Sequence, residues 1–367
     1  MIAHGSDSPS VEDDAPVRLD QQALLHRLAA LMGVPNIEAL RAEIVALRRE
    51  VRDPGGALWA QHEAHAVEYA AWYLDGELAQ IGAAQGLERA IYYIGRLARS
   101  AEGPRTSAIN DLDLNRWKSY SDLITDSLWI IERRDTSGVH SAGYWGNFVP
   151  QIPNQLLRRY TRRGDWVIDP FTGSGTTLIE AQRLGRNALG VELQPHMVEH
   201  ARSLLAAEPN RWQSSSLLET GDSLSADYAA LLGRAGVRQA QLVILHPPYH
   251  DIIRFSDDPR DLSNTSSTAE FLQRLGDLVD RLLPVLERGR YLALVIGDKY
   301  ARGEWHPLGF QAMQTLLERK LLLKSIVVKN FESTAGKRSQ QELWRYRALA
   351  GGFYVFKHEY MFVFRKK

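Results

Sequence analysis

The short apolar run Trp166-Val167-Ile168 leads into Asp169-Pro170-Phe171-Thr172-Gly173-Ser174-Gly175-Thr176-Thr177, and this in turn into Leu178-Ile179-Glu180-Ala181. The spacing predicts a buried strand, a glycine turn and the start of a helix. Few folds accommodate such a run. A strand passing through glycines into a helix belongs in a sheet covered by helices, and it gathers backbone N–H groups around one small-molecule site. Gly173 and Gly175 permit the turn and let a ligand approach the main chain. A dinucleotide fingerprint would need a third glycine where Leu178 stands, and a nucleoside-triphosphate loop would need a lysine that the run lacks.

The surrounding pattern agrees. Strand-like runs at 165–169, 187–191, 241–245, 290–296, 322–329 and 353–364 alternate with helical patterns near 175–185, 195–207, 225–234, 268–288 and 307–319, and a third strand precedes Gly221. Such alternation predicts an α/β fold with a doubly wound, mostly parallel sheet. The last strand follows its predecessor without a clear helical crossover, so it is expected to run antiparallel.

Upstream the character differs. Residues 1–20 carry Asp7, Glu12, Asp13, Asp14 and Asp20 against Arg18, a composition that predicts a disordered acidic tail. Residues 21–135 read as an α-helical module. Leu24, Leu28 and Leu31 line one helix; Asn36 caps a second, whose Ile37, Leu40, Ile44, Leu47 and Val51 form a short heptad seam. That seam either packs internally or joins two copies in a homodimer. Helix is expected to continue over 57–100 and, after the Gly103-Pro104 loop, over 111–133. No internal repeat stands out.

The chain of 367 residues is 44% apolar, and its 44 basic and 44 acidic residues cancel, which leaves nucleic-acid binding to local clusters. The lack of cysteine excludes a thiolate metal site, a disulfide frame and a cysteine nucleophile. No apolar run has the length of a membrane span, so a cytoplasmic protein is expected.

A second buried run, Leu242-Val243-Ile244-Leu245, ends in His246-Pro247-Pro248-Tyr249. Two prolines fix the backbone between a side-chain acceptor and an aromatic wall. Glu192 ends the strand Ala188-Leu189-Gly190-Val191 about 20 residues past the glycine loop, the offset at which a carboxylate meets a ribose diol. Asp222, in Gly221-Asp222-Ser223, is placed to cap the next helix.

Together the loop Asp169–Thr177 and the corner His246-Pro247-Pro248-Tyr249 resemble the S-adenosylmethionine-dependent amino-methyltransferases of nucleic acids, the N6-adenine and N4-cytosine group. The resemblance covers about residues 140–367. It implies a seven-stranded, Rossmann-like methyltransferase domain over that span. It also implies S-adenosylmethionine held by Asp169, Phe171, Gly173, Ser174, Gly175, Thr176, Thr177, Glu192, Asp222 and, from an upstream closing segment, Phe148. The catalytic group would be His246, Pro247, Pro248 and Tyr249, acting on an exocyclic amine without a metal. The family usually has Asp, Asn or Ser where His246 stands; a neutral imidazole still offers one acceptor nitrogen. The implied substrate is double-stranded DNA with its target base flipped, N6 of adenine ahead of N4 of cytosine, in a nucleoid-associated, restriction-modification setting. An RNA base methyltransferase and an inactive nucleic-acid-binding regulator share the same fold. Lys337, Arg338, Arg345 and Arg347, interleaved with Trp344 and Tyr346, are the expected phosphate contacts.

Overall fold

Val17 and Leu19 are buried while Pro16 and Arg18 face solvent, the alternation of a half-buried strand. The computed structural model describes residues 16–140, 146–330 and 341–367. Within them Pro16–Asp20 is strand β1, so the acidic tail is not unstructured to residue 20; the rest of that predicted tail lies outside the described residues. Asp20 also caps α1, accepting from the Ala23 N–H.

Two units divide the chain: the part up to Ser107 with Leu112–Leu123, and Ala108–Asp111 with Ile124–Lys367. The boundary thus falls near residue 123 rather than 135–140.

The first unit is a duplication. β1 is followed by α1 (Gln21–Met32) and α2 (Ile37–Glu50); 50 residues on, β2 (Ala66–Ala70) is followed by α3 (Ala71–Gly82) and α4 (Leu87–Glu102). β1 and β2 pair antiparallel with Arg18 opposite Glu68 at the centre. α1 packs on α4 and α2 on α3, the two pairs that a local twofold exchange would interconvert. The buried positions recur as well: Leu24 and Leu74, Leu28 and Leu78, Ile44 and Ile94, Leu47 and Leu97. This overturns the expectation of no repeat. It also shows that the seam Leu40, Ile44, Leu47 and Val51 is buried within the unit's own core. Strand β2 interrupts the helix expected over 57–100.

The second unit begins with the two-residue β3 (Leu128–Trp129). It continues through α5 (Gln151–Tyr160), β4 (Trp166–Asp169), α6 (Thr176–Arg183), β5 (Asn187–Glu192), α7 (Pro195–Ala207), β6 (Ser216–Thr220), α8 (Tyr228–Gly233) and β7 (Ala240–Leu245). Then come α9 (Thr268–Leu282), β8 (Leu286–Ile296), the small hairpin β9 (Lys299–Ala301) and β10 (Glu304–His306), α10 (Leu308–Leu317), β11 (Leu321–Asn330), α11 (Gln341–Gly351) and β12 (His358–Lys366). Among the described residues the main sheet has eight strands, in the order β3-β11-β12-β8-β7-β4-β5-β6. All neighbours are parallel except β12, which runs antiparallel to both β11 and β8. Seven strands match the expected sheet. The eighth, β3, lies in the stretch expected as helix over 111–133, which instead holds a 3-10 turn at Leu114–Ser119 and this edge strand.

Both faces of the sheet are covered, which explains why its strands read as unbroken apolar runs. Ile168, Leu189, Val243, Leu294 and Phe362 pack with α8, α9 and α10. Val167, Leu242, Ile244, Val295 and Met361 pack with α5 and α6. The helix expected to 288 ends at Leu282, because Pro284 turns the chain into β8. The strand expected from 353 starts at His358. Phe353 instead stacks on Tyr300 at 4.1 Å and Phe356 tilts against Trp305 at 4.2 Å, so side-chain packing replaces the ladder there.

Candidate active site

β4 lies between β7 and β5, and the chain winds outward from it in both directions. That reversal leaves a crevice beyond the carboxyl ends of β4 and β7, where ligands bind in sheets of this kind. The glycine loop leaves β4 there, and the His246 corner leaves β7.

Gly173 and Gly175 adopt φ of 52° and 86°, a region that side chains disfavour, and Gly175 is the N-cap of α6. Asp169 ends β4 almost fully buried, its Oδ1 accepting from the Phe171 N–H at 3.0 Å. Burial pushes its carboxyl up to about 6, against the pull of that N–H. Ser174, Thr176 and Thr177 are buried within the turn. Glu192, at the tip of β5, accepts from the Gly173 N–H and the Gln194 N–H, each at 2.9 Å. Burial raises its pKa, and the nearby charge of Asp261 adds to this. The carboxylate keeps lone-pair capacity for a ligand. Asp222 spends Oδ1 on the Leu224 N–H, the capping alternative.

Segment 146–150 ties the two strand ends together. Thr176 Oγ1 donates to Asn147 Oδ1 at 2.6 Å, while the Phe148 ring stacks on the His246 ring at 4.6 Å. Phe148, expected at the cofactor, thus lies against the His246 corner. Gly146, with φ of 82°, leaves room for the Phe255 ring, so the loop after the corner closes over the same segment.

At the corner itself, His246 Nε2 lies 3.2 Å from the Tyr249 hydroxyl, which donates to Glu359 Oε2 at 2.8 Å. Glu359 Oε1 pairs with Lys329 Nζ at 3.1 Å, and both side chains are 4% exposed. Burial lowers the His246 pKa to about 4, with Glu359 opposing and Lys329 assisting. The Tyr249 phenol is pushed well above its ordinary value by burial and by the Glu359 charge that accepts its hydrogen. At neutral pH the corner thus presents an uncharged imidazole and an uncharged phenol. Sequence reading grouped Lys329 with the basic residues expected at the substrate and gave Glu359 no role; both instead sit inside β11 and β12, 80 or more residues from the corner, and their strand register brings them together. Asn147 lies in the upstream segment that suggested Phe148, and Asp261 gave no motif.

Arg345 and Arg347 are exposed on α11, with Arg347 over the Trp344 ring at 5.3 Å. Lys337 and Arg338 lie outside the described residues. Among the described residues, no group of His, Asp and Glu side chains is arranged to hold a metal ion, and no helix is long and apolar enough to cross a membrane.

A family model described as DNA methylase matches residues 90–203, the stretch that contains the glycine loop and Glu192 but not the His246 corner. The chain is 41% identical over 75 residues to the Type II methyltransferase M.MjaII of Methanocaldococcus jannaschii, covering 20% of this chain and 14% of the relative. It is 37% identical over 100 residues to the Type II methyltransferase M2.DpnII of Streptococcus pneumoniae, covering 26% and 34%. Over 60% of this chain and 49% of the other, it is similar to the crystal structure of TrmN from Thermus thermophilus, at 19% identity and a TM-score of 0.39. The matches span about a third or less of the length of these two curated relatives. Through residues 90–203, the segment that bears its glycine loop, this chain is similar to the DNA methylase family.

Proposed function

We propose that this chain transfers a methyl group from S-adenosylmethionine to the exocyclic amine of a DNA base, N6 of adenine ahead of N4 of cytosine. The observation that carries the reading is the juxtaposition of a glycine loop on β4 and a neutral His-Pro-Pro-Tyr corner on β7, joined by Asn147 and Phe148. S-adenosylmethionine, when bound, supplies an electrophilic methyl carbon on a sulfonium. The loop fits it: Gly173 and Gly175 bring main chain to the ligand, and Glu192 offers lone pairs to a ribose diol. Asp169, Phe171, Ser174, Thr176 and Thr177 shape the pocket, and Asp222 borders it.

An exocyclic amine is a weak nucleophile because its lone pair is delocalised into the ring. A hydrogen bond from that amine to His246 and to the main-chain carbonyl before Pro247 draws its hydrogens aside and frees the lone pair toward the methyl carbon. The amine nitrogen would thereby be readied to take the methyl group, and its surplus proton would leave by way of His246 or water. Reaching the amine requires a base flipped from the duplex, with the Tyr249 ring as its wall. Arg345 and Arg347, beside Tyr346 at 69% exposure, would contact phosphates and unstacked bases. Relatives named Type II methyltransferases favour DNA and a restriction-modification setting.

The test is to incubate the full chain with methyl-labelled S-adenosylmethionine and unmethylated bacterial genomic DNA, then digest to nucleosides. N6-methyladenine or N4-methylcytosine is expected. Label that appears only with RNA, or with neither, contradicts the reading.

A further inference from the structure

The Tyr249 hydroxyl has one hydrogen and two neighbours. Glu359, facing the Lys329 ammonium across the β11–β12 register, is an acceptor, and it lies nearer at 2.8 Å. The hydrogen therefore points at Glu359, and the phenol oxygen turns its lone pairs toward His246 Nε2 at 3.2 Å. A hydrogen bond there requires a proton on Nε2. In a neutral imidazole the other nitrogen, Nδ1, is then bare. Phe148 stacked on one face and Tyr249 edge-on at 86° hold the ring in place. Gly297 lets Tyr249 sit this close: a Cβ at that position would come within 3.0 Å of the phenol ring.

We propose that Glu359, paired with Lys329, is a positioning residue that acts through the Tyr249 hydroxyl to fix His246 as its Nε2–H tautomer, with Nδ1 as the acceptor presented at the corner. What Nδ1 meets rests on the methyltransferase reading; the tautomer does not. The family's usual Asp, Asn or Ser has an acceptor oxygen by composition. A histidine has an acceptor at a defined position only when its second nitrogen is committed, and this buried pair commits it.

The experiment has two arms. In the first, 15N-histidine correlation spectra of the full chain, assigned with His246→Gln, report the tautomer of His246. The Nε2–H form is expected in the parent, with an appreciable Nδ1–H population in Tyr249→Phe and Glu359→Gln. In the second, single-turnover methylation of unmethylated genomic DNA is expected to fall ~10- to 100-fold in both variants, the range of one charge-assisted hydrogen bond. Affinity for S-adenosylmethionine should be unchanged. An Nδ1–H parent, or an Nε2–H form that persists in both variants, overturns the proposal. A parent with the expected tautomer that methylates no DNA overturns the methyltransferase reading and leaves the positioning role standing.

Discussion

The two units are built on different logics. In the N-terminal unit most buried apolar positions have a twin 50 residues away, and the βαα pattern closes on a second copy of itself. In the α/β unit the informative groups are singular. Asp169, Glu192 and His246 stand at strand ends, while Lys329 and Glu359 lie within strands, and none has a counterpart elsewhere among the described residues of the unit. A duplicated unit spreads its stability over equivalent positions; a site concentrates consequences at unique ones.

The largest expected effect tests the singular side. Lys329→Met should destabilise the fold by about 3–5 kcal/mol, because it leaves Glu359 buried without its ammonium. Urea unfolding reads this, and a loss below about 1 kcal/mol would mean that the pair is solvated and the contrast overdrawn. Next comes the duplicated side. Leu28→Ala and Leu78→Ala, at equivalent and fully buried positions, should each cost about 2–5 kcal/mol and agree closely with each other. Strongly unequal losses would break the local twofold.

Gly175→Val should follow. It forces a branched residue into φ of 86°, at a strain of about 1–3 kcal/mol, and brings a Cβ to 3.2 Å from the Ala201 methyl. Calorimetry should show S-adenosylmethionine affinity falling at least tenfold; unchanged affinity would remove the loop from the cofactor site. The smallest effect is at the surface. Arg345→Ala and Arg347→Ala should each flatten the salt dependence of DNA binding by about one unit of slope, with cofactor affinity constant. Identical slopes would return α11 to ordinary surface.

What could be read from sequence follows the same divide. The glycine loop, Glu192 and the Pro-Pro corner depend on residue types that few local conformations tolerate, and the structure brings them to one crevice. The alternation of strands and helices gave the sheet because covered strands must be apolar throughout. The repeat was hidden because identity recurs at only some of the buried positions and seldom outside them: Leu19 is answered by Tyr69, Leu31 by Ile81 and Leu40 by Ala90. The heptad seam could not name its own partner, which proved to lie inside the same unit. Strand β3 has only two residues, too few for any period to register. Lys329 read as one more basic residue of the cluster with Lys337 and Arg338, and Glu359 as an ordinary charge in the last strand. Only the antiparallel register places them under Tyr249.

The account's central claim is that a neutral His246 is the amine's acceptor. Its pKa is lowered from 6.5 to about 4 by burial. The unfolded chain therefore takes up the proton first as pH falls. The stabilising contribution is intact above about 6.5 and is lost as pH falls toward 4, and the acceptor persists over that window. Single-turnover methylation with saturating S-adenosylmethionine, run from pH 8 to pH 4 on the parent and on His246→Ala, tests this directly. The parent should show no inflection at the ordinary histidine pKa and decline only toward pH 4. His246→Ala should be slower by at least ~100-fold at every pH while still binding cofactor. A His246→Ala chain that methylates as fast as the parent would contradict the claim.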